Sequence, residues 1–169
     1  MIKYYYKSLR SQQVQELAEY KRGCWVYVEA PNPDEIDLLI TKFRLDPGHI
    51  EDALDEDEMP RLEKEGEQSY IFVRYAYKNA EAELVTVPLL FVFSDDIVIT
   101  ISLVHLPCLE AFLGSKVDFA NTQRAKLVLQ ILHQIVEQYD TFINSTSKQI
   151  KLIRSRLRGH EISNQDFID

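Results

Sequence analysis

The sequence predicts an α/β fold, in which an antiparallel meander is followed by one long C-terminal helix. Three observations predict it. Short aromatic and β-branched runs separated by turn residues mark strands at 25–29, 70–77, 84–93 and 97–102. Two cap-then-proline signals, Asn32-Pro33 and Asp46-Pro47, mark helix starts between the first two of those strands. The last third, from Thr122 to Arg158, contains neither Pro nor Gly and carries apolar residues at helical spacing.

In chain order, Ile2 to Tyr6 reads as a short strand, and Ser11 to Tyr20 as a weak helix with Val14, Leu17 and Ala18 on one face. Trp25-Val26-Tyr27-Val28 is the next strand. After Asn32-Pro33, Asp34 and Glu35 complement the helix dipole, and Ile36, Leu39, Ile40 and Phe43 follow at helical spacing. After Asp46-Pro47, Ile50, Ala53 and Leu54 form a short apolar face, which puts Glu51 and Asp52 on the opposite, exposed side. Tyr70 to Tyr77 alternates as a strand. Leu84 to Phe93 follows it, with Pro88 predicting an edge position or a bulge. Ser94-Asp95-Asp96 is a tight turn into Ile97–Ser102, and Leu106 to Leu113 is a short helix.

In the last segment Val128, Ile131, Ile135, Tyr139, Phe142, Thr146, Ile150, Ile153 and Leu157 step by 3, 4 and 4. That eleven-residue period suits a nearly straight helix. Such a helix is roughly 54 Å long, against a radius of gyration of about 15 Å for a domain of this size. It is therefore expected to project and to offer its stripe to a partner. A break at Asn144-Ser145-Thr146-Ser147, where helix propensity is weak, is the competing reading.

Composition bounds the function. With 169 residues, 46% of them hydrophobic, nine Tyr, eight Phe and one Trp, the chain can fill a core. Cys24 and Cys108 lie far apart and show no ligand spacing, as expected of buried thiols in a reducing compartment. The longest nearly apolar run, Leu84 to Phe93, is ten residues, and a membrane-spanning helix needs about 20. No signal peptide opens the chain.

Charge is concentrated. Residues 51–67 hold nine acids and two bases and so carry −7 of the formal −8. The resulting field repels nucleic acid and attracts cations, and carboxylates are the ligands that Mg²⁺ and Ca²⁺ prefer. A solvated acidic loop is the other reading of the same run. The run Asp55 to Pro60 is not an EF-hand, because Pro60 stands where the sharp turn needs Gly. His49, His105, His133 and His160 form no close metal pair and read as ordinary surface or core histidines. No nucleophile elbow, phosphate-binding loop or dinucleotide fingerprint is present, and nothing supports an enzyme. Lys148, Lys151, Arg154, Arg156 and Arg158 make the long helix basic at its end. They complement the dipole on a solvated face, or they meet acidic protein or lipid headgroups.

The ordered set of features is specific. Trp25-Val26-Tyr27-Val28-Glu29-Ala30-Pro31 is followed by Phe43-Arg44-Leu45-Asp46 and by His49-Ile50-Glu51-Asp52-Ala53-Leu54-Asp55. Then come Met59-Pro60-Arg61-Leu62-Glu63 and Tyr70-Ile71-Phe72-Val73-Arg74-Tyr75. Over roughly residues 20 to 158 this resembles the N-terminal cytoplasmic domain of the CorA family of magnesium and cobalt transporters. The resemblance implies an α/β/α sandwich on a mixed, largely antiparallel sheet. It divides the chain into an α/β domain at 1–118 and a helical segment at 119–169, leading toward a stalk within the same unit. It implies a homopentamer on the cytoplasmic face of the cell membrane, anchored through helices absent from this sequence. The chain is then a soluble part of a longer protein, in which it senses divalent cations and gates flux. Glu51 and Asp52 match the family's acidic pair at an inter-subunit site for regulatory Mg²⁺, with Co²⁺ or another divalent cation as alternatives. His133 falls where the family carries an acid, and histidine is a poor Mg²⁺ ligand. A zinc-transporting relative, or a soluble interaction and oligomerisation module, are the alternative readings.

Overall fold

The computed structural model describes residues 1–11, 13–114, 117 and 119–158. In chain order the elements are β1 (Ile2–Tyr6), β2 (Gln15–Leu17), β3 (Trp25–Glu29), α1 (Pro33–Phe43), α2 (Pro47–Ala53), β4 (Arg61–Glu65), β5 (Gln68–Lys78), β6 (Leu84–Phe93), β7 (Val98–Ser102), α3 (Pro107–Leu113) and α4 (Arg124–Arg158). The strands form one seven-stranded sheet in the order β2-β1-β3-β7-β6-β5-β4. The β3–β7 pair is parallel and every other pair is antiparallel.

Side-chain alternation makes the sheet the middle layer of a sandwich. Trp25, Tyr27, Leu89 and Phe91 point to one face, where they pack with Leu109 and Phe112 of α3 and with Leu127, Val128, Ile131 and Ile135 of α4. Val26, Val28, Leu90 and Val92 point to the other, against Leu39 and Phe43 of α1 and Ile50 and Ala53 of α2. A sheet covered on both faces needs apolar residues at consecutive positions, which is why β6 and β7 read as continuous apolar runs rather than alternating ones. The buried indole N–H of Trp25 donates to Thr100 Oγ1 at 3.0 Å, which satisfies the one polar atom the ring brings inside. Cys24 and Cys108 are free thiols; Cys24 is buried, and burial pushes the Cys108 thiol up to about 11.

Both helix starts form as their sequences predict. Asn32 Oδ1 accepts from the Glu35 backbone N–H and Glu35 Oε2 accepts from the Asn32 N–H, each at 2.9 Å, completing a capping box ahead of Pro33. Asp46 Oδ1 accepts from the His49 N–H at 3.1 Å ahead of Pro47.

Two local expectations are corrected. The described residues of the segment at 11–20 are not helical: Gln15–Leu17 is an edge strand, with Tyr4 opposite Leu17 and Tyr6 opposite Gln15. Val14 and Leu17 consequently pack on opposite faces of the sheet, and Ala18 is exposed. The acidic run is not all loop, because Arg61–Glu65 pairs with β5 and adds a fourth strand to the meander. Gly66, at φ +57°, takes the positive-φ position of the two-residue turn between them. Pro88 lies in an interior strand, but β7 ends at the Leu89–Ser102 pair, so Pro88 has a neighbour on the β5 side alone.

The long helix is continuous across 144–147. At 35 residues it is roughly 52 Å long. Its first half is packed on the sheet as far as Tyr139, whose hydroxyl donates to the Arg74 carbonyl at 3.2 Å. Beyond Tyr139 it projects: Ile143, Ile150 and Leu152 are each more than half exposed. Among the described residues no helix is long and apolar enough to cross a membrane.

Candidate functional site

The acidic pair sits in the last turn of α2. Ile50 and Ala53 anchor that helix by their burial under the sheet, and this turns Glu51 outward and leaves Asp52 half-exposed beside it. No described side chain pairs with the Glu51 carboxylate. Asp52 is different: its Oδ2 is held by Nη2 of Arg61.

Arg61 organises the surroundings. Its Nη1 meets Glu58 and its Nε meets Glu63, so one guanidinium serves three carboxylates. The same guanidinium lies over the Phe72 ring, 3.9 Å from its centroid, because Arg61 stands opposite Phe72 in the β4–β5 register. Burial works against its charge, but Glu63, Glu58 and Asp52 more than offset this, and the Arg61 pKa is raised. Arg74 fixes the preceding turn by donating to the Glu58 carbonyl at 2.7 Å and to Thr86 Oγ1 and the Thr86 carbonyl, both at 2.8 Å. The tract that reads as a loose acidic loop is therefore stitched to the sheet by two arginines.

Glu51 and Asp52 supply the hard oxygen donors that Mg²⁺ favours. They do not make a complete site in one chain. Among the described residues no group of three or more His, Cys, Asp and Glu side chains could hold a metal ion.

The histidines divide by role. His49 is buried against Tyr70, with ring centroids 4.3 Å apart, and its Nε2 lies 3.6 Å from Glu63. His105 bridges Glu29 on β3 at 2.8 Å and Glu110 on α3 at 3.0 Å. Those hydrogen bonds raise its pKa, that of Glu29 before that of Glu110. Tyr27 donates to the same Glu29 oxygen at 2.5 Å. His133 is exposed on α4, 3.5 Å from Glu137 one turn on. His160 lies outside the described residues. Lys148, Lys151, Arg154 and Arg156 are exposed on the projecting half of α4. A cleft of about 570 Å³ opens at the start of α4, lined by Lys64, Arg124 and Lys126 among others; neither Glu51 nor Asp52 borders it.

The role of Arg61 was open to sequence reasoning only as a spacing. Arg61 and Glu63 share one face if the segment is a strand, and the acidic composition concealed that strand.

Several solved structures share this fold. The complete structure of the CorA magnesium transporter from Methanocaldococcus jannaschii superposes with a TM-score of 0.79 at 18% identity, covering 98% of this chain and 53% of that one. The soluble domain of the same protein gives 0.77 at 17% identity, covering 94% and 65%. Full-length CmaX gives 0.76 at 18%, covering 96% and 53%. The cytoplasmic domain of ZntB from Vibrio parahaemolyticus gives 0.70 at 11%, covering 89% and 64%. The chain thus spans about half the length of the two complete relatives. No curated protein sequence matches it significantly. The family model described as CorA-like Mg²⁺ transporter protein matches residues 20–169, which is most of the chain, and that family is one of transporters rather than enzymes. With the fold and the family model in agreement, the chain belongs to the CorA-like Mg²⁺ transporter family.

Proposed function

We propose that this chain is the cytoplasmic, divalent-cation-sensing region of a CorA-like transporter of Mg²⁺ or Co²⁺, and that it gates flux through the complete membrane protein. The observation that carries the reading is the family match running from residue 20 to residue 169. Residues 1–118 act as the sensor domain, and 119–169 lead toward the stalk on the cytoplasmic face of the membrane. The sensing carboxylates are Glu51 and Asp52. One chain offers too few ligands in one place, so the remaining donors come from a neighbouring subunit of a homopentamer. Carboxylates crowded at that interface repel one another, and a bound divalent cation relieves the repulsion. High cytosolic Mg²⁺ then favours the closed assembly, and depletion loosens it.

The test is Glu51→Gln with Asp52→Asn in the full-length transporter, read by ion flux and protease protection across a Mg²⁺ titration. Both substitutions are neutral isosteres on the outer face of α2, so packing of Ile50 and Ala53 is retained. The expected result is a weakened Mg²⁺ dependence of closure. A double mutant with the wild-type midpoint and amplitude would place the sensing carboxylates elsewhere.

A second reading, a zinc-transporting relative, is favoured by one specific observation. His133 and Glu137 stand 3.5 Å apart on the exposed face of α4, and imidazole with carboxylate suits Zn²⁺. Parallel Zn²⁺ and Mg²⁺ uptake assays separate the two: loss of Zn²⁺ uptake alone in His133→Ala supports the zinc reading.

A further inference from the structure

We infer that Arg61 is a resident counter-cation that holds the Asp52 carboxylate and sets how tightly the end of α2 takes up a divalent cation. This rests on the reading of Glu51 and Asp52 as cation ligands. Arg61 is preorganised without help from Asp52. The Phe72 ring lies beneath its guanidinium, Glu63 is two residues away on the same strand face, and Glu58 is held in a turn. That turn is fixed by the Glu58 N–H bonded to the Asp55 carbonyl at 3.1 Å and by Arg74 on the Glu58 carbonyl. The guanidinium therefore reaches toward α2 already positioned, and Asp52 completes its third nitrogen.

The charges define the consequence. Three carboxylates face one guanidinium, so the cluster keeps an excess of negative charge and still attracts cations. A divalent cation at Asp52 would stand next to the guanidinium, and like charges at contact distance repel strongly in a partly buried site. Uptake at Asp52 thus requires Arg61 to release it. Release is feasible, because Glu58 and Glu63 continue to neutralise Arg61 and its side chain is 26% exposed. Arg61 weakens the site without closing it. Lysine at this position keeps the charge but cannot fork across three carboxylates, so it holds Asp52 less firmly.

The test is calorimetric titration of the 169-residue chain with MgCl₂, comparing wild type, Arg61→Met, Arg61→Lys and the double variant Arg61→Met/Asp52→Asn. Methionine keeps an apolar stem over Phe72, and circular dichroism checks the fold. Arg61→Gln carries the same expectation if methionine on the edge strand disturbs β4. Removing the charge is expected to tighten Mg²⁺ binding by about tenfold or more, with Arg61→Lys in between and the gain abolished by Asp52→Asn. An unchanged affinity in Arg61→Met, or no detectable binding by it, overturns the inference. So does a gain that survives Asp52→Asn, since the released ligands would then be Glu58 and Glu63. The two readings fail separately. An inert Glu51→Gln/Asp52→Asn transporter removes the sensing site, whereas an inert Arg61→Met beside a responsive double mutant removes only the role of Arg61.

Discussion

His105 shows how one side chain ties two elements of this domain. It bridges Glu29 at the end of β3 and Glu110 in the first turn of α3. Its folded pKa is raised above the ordinary 6.5 by those carboxylates. The sign of the linkage follows: the stabilisation is fully present below the unfolded pKa and is lost as pH rises through the folded one. His105→Gln should therefore lower the melting temperature more at about pH 5.5 than at about pH 8.5. Equal effects at both pH values would mean the ring acts by packing rather than charge. The imidazole is half exposed, so solvent screens the effect and it is expected to be modest. At the start of α1, Asn32→Ala removes half of a capping box and should cost about 1 kcal/mol in chemical denaturation. No measurable change would mean that solvent satisfies the Glu35 backbone N–H once the Asn32 side chain is gone.

At the scale of the element, α4 is two different helices in one. Ile131 is fully buried in the core cluster it shares with the sheet and α3, while Ile150 is 51% exposed on the projecting half. Ile131→Ala should cost roughly 2–4 kcal/mol in the isolated chain. Ile150→Ala should stay within about 0.5 kcal/mol. Similar losses at both positions would mean that the distal half is packed in solution. Isolated helical segments shorter than about 15 residues are marginal in water. Amide exchange should accordingly be slow through residues 127–139 and fast toward 150. The eleven-residue repeat is used by the sheet in the first half only. Leu129, Val136 and Ile143, spaced by seven, lie exposed beside it, and Ile150 of the repeat itself is exposed as well.

For the whole molecule, the sensing reading makes a claim about the isolated chain. Its Asp52 is already paired with Arg61, and no described cluster gathers three metal ligands. Binding of Mg²⁺ to the monomer should be weak. When free Mg²⁺ equals its dissociation constant, the stabilisation is only about 0.4 kcal/mol. Millimolar Mg²⁺ is therefore expected to leave the melting temperature of the monomer nearly unchanged. Micromolar, stoichiometric binding to a monomer would show a self-contained site instead.

Local chemistry was legible in the chain itself. Asn32-Pro33 and Asp46-Pro47 define both helix starts, because capping and the fixed φ of proline act within a single turn. The continuous helix from Arg124 follows from a long stretch free of Pro and Gly. The outward placement of Glu51 and Asp52 follows from helical periodicity alone. Three things depended on contacts between distant residues. Gln15–Leu17 is a strand because β1 offers it a partner, and local propensity there was too weak to decide. Arg61–Glu65 is a strand because β5 pairs with it, in spite of a composition suited to solvent. That pairing places Arg61 over Phe72 and within reach of Asp52, so whether the acidic pair is free or countered was decided by the register of two strands rather than by the residues of α2.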